Sequence, residues 1–141
     1  MARIDTVTDY PLAENRPDLV KTARGKALQE LTLDAVMAGD VTLEDLRITP
    51  QALLDQARVA TLAGRPTLGR NFERAAELIA VPQDYLLKVY ELLRPGRAKT
   101  KADLLEAAKT LRDAYKAEKM AAFVEEAAEV YEKRGLFTFR F

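Results

Sequence analysis

The side chains in this 141-residue chain that could do chemistry are carboxylates, lysines, tyrosines and threonines, because histidine, cysteine, serine and tryptophan are all missing. That composition removes an imidazole base, a thiol nucleophile, a serine triad and the common zinc sites. Acid–base work by carboxylates remains open. The densest acidic group is Glu125, Glu126 and Glu129, which share one helical stretch with no second acid cluster as a counterpart. A charged helix face is the expected reading, ahead of a metal or acid–base site. Arg94, Arg97, Lys99 and Lys101 gather around a turn and could meet phosphate or an acidic surface; a solvated loop is the expectation. No residue is expected to be catalytic, to bind a cofactor or to ligate a metal.

The length suits one domain with one core. The 22 basic and 22 acidic residues cancel, which removes the broad cationic field that nucleic acid or an anionic membrane would need. No run approaches the roughly 18 apolar residues that span a bilayer, and no apolar segment resembling a signal peptide follows Met1. A soluble, cytoplasmic protein is the expectation.

The elements that must position these side chains read as helices. The fold expected is all-α, with several short helices, a longer C-terminal helix or helix pair, and an extended N-terminal segment. Residues 1–31 are expected to be that segment, ordered against a partner, and residues 32–141 the helical part of a single domain. Thr32 should cap a short helix from Leu33 to Ala38, with Gly39 ending it in a left-handed turn. Thr42 and Asp45 resemble a capping box with Asp in place of Glu. Thr49-Pro50 starts a helix to about Ala63, with Leu53, Leu54, Ala57 and Ala60 on its apolar side.

After the break at Gly64-Arg65-Pro66, Phe72, Ala75, Ala76 and Ile79 fall at i, i+3, i+4 and i+7, opposite Arg70, Arg74 and Glu77. Pro82 stops that helix, and a further one carrying Leu86, Leu87, Val89, Tyr90 and Leu93 ends at Pro95-Gly96. Thr100 and Asp103 form a second Asp-type capping box, after which neither Pro nor Gly occurs until Gly135. Leu104, Leu105, Ala108, Leu111 and Tyr115 make one stripe there. Met120, Phe123, Val124, Ala127, Val130 and Tyr131 make another, rotated well away from it. Either the chain breaks near Glu118-Lys119, or one long helix offers its two ends to different neighbours. Strand signals at Val7 to Tyr10 and Thr138 to Phe141 are short and weak.

Five segments in order carry a family likeness: Asp9-Tyr10-Pro11-Leu12-Ala13, Arg47-Ile48-Thr49-Pro50, Asn71 to Pro82, Leu93-Arg94-Pro95-Gly96-Arg97, and Ala121-Ala122-Phe123-Val124-Glu125-Glu126-Ala127-Ala128. Together they resemble the small, or gamma, subunit of adenosylcobalamin-dependent diol and glycerol dehydratases. The resemblance implies a noncatalytic subunit of a hydro-lyase built from large (alpha), medium (beta) and small chains, as a dimer of heterotrimers. It also implies that adenosylcobalamin lies between the large and medium subunits and starts a radical dehydration of 1,2-propanediol or glycerol to an aldehyde.

The small subunit of such an enzyme packs on the large one. Expected contact residues are Tyr10 and Pro11 in the N-terminal segment, Asn71 and Phe72 on the helix before Pro82, and Phe123 and Tyr131 near the end of the chain. The chain begins only a few residues before Asp9, without the longer N-terminal extension that some members associate with solubility or microcompartment packaging. The cytoplasm is the expected location, with a bacterial microcompartment as the alternative. The Phe137, Phe139 and Phe141 tail departs from the lysine-rich ends of the family and is expected to pack on its own subunit, the alternative being an anchor in a partner groove. From the residues alone, the rival function is a freestanding helical adaptor that binds another protein.

Overall fold

A computed structural model describes residues 4–138. Among these residues the regular elements are helical: α1 (Leu12–Asn15), α2 (Leu33–Met37), α3 (Leu43–Leu46), α4 (Pro50–Leu62), α5 (Pro66–Leu78), α6 (Gln83–Leu93), α7 (Lys101–Tyr115) and α8 (Glu118–Lys133). The N-terminal segment is not simply extended, since α1 and three single 3-10 turns alternate with extended backbone there. Val7, where a weak strand signal stands, opens one of those turns, Val7–Asp9. The second weak strand signal, and Phe139 and Phe141 with it, lies outside the described residues apart from Thr138.

The chain forms two compact units, the first ending at Ala76 and the second beginning at Glu77. In the first, Thr49 caps α4 by accepting from the Ala52 amide at 3.1 Å, and Pro50 takes the first helical position, where its missing N–H costs nothing. Thr32 caps α2 likewise, through the Ala35 amide at 3.2 Å, and Gly39 turns the chain out of it at φ +81°. Leu53, Ala57 and Ala60 of α4 are buried as the pattern requires, whereas Leu54 is exposed. A small core of Ile4, Leu12 and Val59, with Leu19, Val20 and Leu62 around it, draws the N-terminal segment onto α4. The Arg58 guanidinium also donates to the Ile4 carbonyl at 3.1 Å.

In the second unit the apparent long helix breaks at Lys116, which takes the left-handed conformation at φ 57°. The Ala117 amide then reaches back to the Leu111 carbonyl at 2.9 Å, and the chain reverses. The two stripes thus belong to separate helices of an antiparallel hairpin, in which Leu104, Ala108 and Leu111 of α7 meet Ala121, Val124 and Ala128 of α8; of the stripe expected on α8 only Val124 lies on that buried line, while Phe123 and Val130 are exposed. Small residues let the helices approach closely, and burying Leu104 and Leu111 contributes about 1.5–3 kcal/mol each. Arg112 fastens the hairpin with two bonds to Glu125, at 2.6 and 2.9 Å, and one to Glu118 at 2.9 Å. The Glu125 carboxyl is held below its usual range by that guanidinium.

The apolar face expected on α5 is only partly realised. Ala76 is buried and Phe72 and Ala75 half-buried, but Ile79 lies beyond the helix and is exposed. Glu77, expected on the solvated side, turns inward instead. Its carboxylate accepts the amides of Lys119 and Met120, at 3.0 and 2.8 Å, and so completes the amino end of α8, whose own preceding residue Ala117 has no capping side chain.

Gly69 sets the closeness of α4 and α5. A β-carbon there would stand 2.5 Å from Thr61 Oγ1 and 3.0 Å from the Ala57 carbonyl oxygen. The hydroxyl is already committed, donating to that same carbonyl at 2.9 Å. Gly69→Ala is therefore expected to destabilise the full chain by about 1–3 kcal/mol in urea denaturation, as overpacking does. Adding Thr61→Ala should recover part of the loss. Unchanged stability of the single variant would show that the two helices are not in this close contact.

Candidate functional site

In the first unit, the extended stretches of the N-terminal segment leave an open groove of about 930 Å³ beside α4. Tyr10, Pro11, Val20, Ile48, Leu53 and Phe72 are among the residues that line it. Three of the six expected contact residues, Tyr10, Pro11 and Phe72, therefore share one depression, where Tyr10 is exposed and Phe72 half-buried. Asn71, the fourth, is exposed and accepts a hydrogen bond from Arg74 through its Oδ1.

The other two lie in the second unit. Phe123 is on α8 but off the face that packs on α7, and is 39% exposed. Tyr131 is half-buried; its hydroxyl donates to the Leu93 carbonyl and its ring centroid lies 6.2 Å from that of Phe137. Phe137 packs against the core of its own unit. Nearby, Leu78, Leu86, Val89, Leu93, Leu111 and Met120 enclose most of a small apolar cavity of about 150 Å³, with Tyr90 at its edge.

The charged groups weighed as sites are mostly tied to one another. Arg94 pairs with Glu91 at 2.8 Å, Arg97 with the same carboxylate at 3.8 Å, and Lys101 with Glu129 and Glu132 at 2.6 and 2.8 Å. Lys101 is held above its ordinary pKa by those two carboxylates, Glu129 first. Among the described residues no three acidic, histidine or cysteine side chains come together as metal ligands, and no helix is long and apolar enough to cross a membrane.

The most demanding polar group of the first unit is Asp45, whose side chain is wholly buried. It accepts from the Thr42 amide at 3.0 Å, the Thr22 hydroxyl at 2.9 Å and Arg24 Nε at 3.1 Å, while Arg24 Nη2 stands 3.0 Å from its second oxygen. Arg24 Nη2 also donates to the Asp40 carbonyl at 2.6 Å. The sequence identifies Asp45 as a capping residue, which it is, but gives no sign of Thr22 and Arg24, more than twenty positions away.

Sequence periodicity also missed the outer surface that this clamp holds in place. Leu33, Met37 and Leu43 are 75%, 80% and 78% exposed, and Val36, Leu46 and Ile48 are exposed as well. The helices α2 and α3 are five and four residues long, too short for an apolar stripe to register as a pattern.

Known proteins resemble the chain over most of its length. A family described as dehydratase small subunit matches residues 5–138. The propanediol dehydratase small subunit of Citrobacter freundii is 52% identical over 128 residues, which cover 91% of this chain and 74% of that protein. The propanediol dehydratase small subunit of Salmonella typhimurium is 50% identical over 133 residues, 94% of this chain and 76% of that one.

Asp45 gives the first unit a definite pH dependence. Desolvation pushes its pKa up, but the Thr42 amide, the Thr22 hydroxyl and the Arg24 guanidinium outweigh it, leaving the pKa below the ordinary value. A depressed folded pKa contributes stability that is fully present above the unfolded value, about 4, and is lost as pH falls through the folded one. Urea denaturation of the full chain from pH 7 to pH 2 is expected to show wild type losing its advantage over Asp45→Asn below about pH 4. Parallel stability curves across that range would rule out the charged clamp.

Proposed function

Because this chain belongs to the dehydratase small subunit family, we propose that it is the noncatalytic small subunit of an adenosylcobalamin-dependent enzyme that dehydrates 1,2-propanediol, glycerol or a related short diol to an aldehyde. The observation that carries this reading is the identity of half or more, over nine-tenths of the chain, to small subunits of propanediol dehydratase. The side chains agree with a supporting role. With no histidine, cysteine or serine, the chain can offer cobalt no imidazole and substrate no thiol or serine nucleophile.

The residues present do not fit a cobalamin site. The groove beside α4 is lined chiefly by apolar side chains, and its two carboxylates are engaged within the chain, Asp18 with Arg16 at 3.0 Å and the buried Asp55 with Gln51 at 2.9 Å. Cobalamin, which would supply the radical chemistry of such an enzyme, is assigned on the family resemblance to the large and medium subunits. This chain's own work is assembly: covering apolar surface of the large subunit and limiting that subunit's motion within a dimer of heterotrimers. Residues 1–31 pack on that partner, and the contacts run through Tyr10, Pro11, Asn71 and Phe72 on the first unit and Phe123 and Tyr131 on the second. The complex operates in the cytoplasm or within a bacterial microcompartment.

Co-expression of this chain with large and medium dehydratase subunits tests the reading. One complex on size exclusion is expected, with cobalamin-dependent diol dehydration only when all three chains are present. A stable, active enzyme lacking this chain would remove the assembly role and leave the freestanding adaptor as the better account. At residue level, Phe123→Asp places an unpaired carboxylate in an apolar contact. It is expected to weaken the complex by about 2 kcal/mol or more, on the scale of interface hot spots, while the melting curve of the isolated chain barely moves. Unchanged subunit affinity would put Phe123 outside the contact.

A further inference from the structure

The exposed apolar side chains of α2 and α3 are concentrated beyond what a solvated surface carries singly. Six large ones, Leu33, Val36, Met37, Leu43, Leu46 and Ile48, stand in sixteen residues, and none belongs to the unit's core. On α2, Leu33, Val36 and Met37 fall at i, i+3 and i+4, one face of that helix. Their exposure is enforced. Val41 is buried between the two helices in sequence, the amides of Asp40 and Val41 both bond to the Ala35 carbonyl, at 2.9 and 3.2 Å, and Asp45 anchors α3 from inside. The apolar side chains are thus left outside by a well-bonded scaffold.

Charge distinguishes the occupants. Asp34 and Asp40 are exposed beside the apolar residues, and no basic side chain pairs with either among the described residues; Glu44 is met by Arg47 at 3.2 Å. A second copy of this chain, docked through the same face, would set one net acidic rim against another, which costs affinity. A different chain with an apolar patch and a rim of Lys or Arg would gain from them. Ile48 lies in the same run of exposed residues and also lines the groove that holds Tyr10, Pro11 and Phe72, so the surface continues into the contact already proposed.

We propose that α2 and α3 form a docking surface, acidic at its rim and apolar at its centre, for a basic-rimmed apolar patch on the large dehydratase subunit. This rests on the reading of the chain as a dehydratase small subunit. Met37→Glu combined with Leu43→Glu tests it by co-expression with the large and medium subunits, with affinity measured on the purified chains. Because both side chains are exposed, the circular dichroism and melting of the isolated variant should match wild type, while affinity for the partner falls at least tenfold. Asp34→Asn with Asp40→Asn should weaken assembly less and flatten its dependence on salt.

Retention of wild-type affinity by the Met37, Leu43 variant would overturn the docking surface while leaving the subunit assignment intact. An isolated wild-type chain that dimerises in light scattering, with the same variant restoring the monomer, would overturn the choice of partner in favour of a second copy. Failure of the wild-type chain to join the complex at all would overturn the subunit assignment, and this surface with it.

Discussion

The carboxylate of Asp45 is buried at the point where the N-terminal segment and α3 meet, and a buried charge persists only if its environment supplies nearly all of its hydrogen bonds. Here the Thr42 amide, the Thr22 hydroxyl and the Arg24 guanidinium do so. Two consequences reach outward. The N-terminal segment, which contributes little apolar burial beyond Ile4, Leu12, Leu19 and Val20, gains a fixed point on the rest of its unit. The short helices α2 and α3, too brief to be stable alone, gain one as well, so their apolar residues cannot turn inward to relieve their own exposure. One buried carboxylate thereby determines an external surface.

Local chemistry was the most legible part of the sequence. Thr32, Thr49 and Thr100 each cap the helix that follows, and the capping box of Thr100 and Asp103 forms with bonds of 2.9 and 3.3 Å. Such signals depend on residues three apart, and nothing distant competes with them. The orientation of helix faces was less legible. Periodicity places Leu104, Ala108 and Leu111 on one side of α7, where they are buried, although Leu105 of the same expected stripe is exposed, and the stripe drawn on α8 through Phe123 and Val130 is turned from the buried line of Ala117, Ala121, Val124 and Ala128. Large side chains dominated the pattern, whereas close helix packing selected the small ones.

Surface positions were harder still, because they are defined by what fails to pack. Tyr10, Pro11 and Phe72 share a groove although the first and the last are 62 positions apart in sequence, and the extended segment laid beside α4 brings them together. Leu33, Met37 and Leu43 gave no periodic signal, since a one-turn helix has too few positions to show which of its sides is wet. Nor could charge counting foresee that Arg94, Arg97 and Lys101 would be met by Glu91, Glu129 and Glu132. A balanced net charge says how many partners exist but not who pairs with whom.

The carboxylate of Glu77 reaches amides 42 and 43 positions farther along the chain. During synthesis it is made more than forty residues before those amides exist, so the sequence of the helix that carries it is complete while the end it must close is still unmade. The last helix therefore receives its first-turn cap from a side chain already in place, and a protein cut between the two would keep every residue of α8 while losing the group that finishes it.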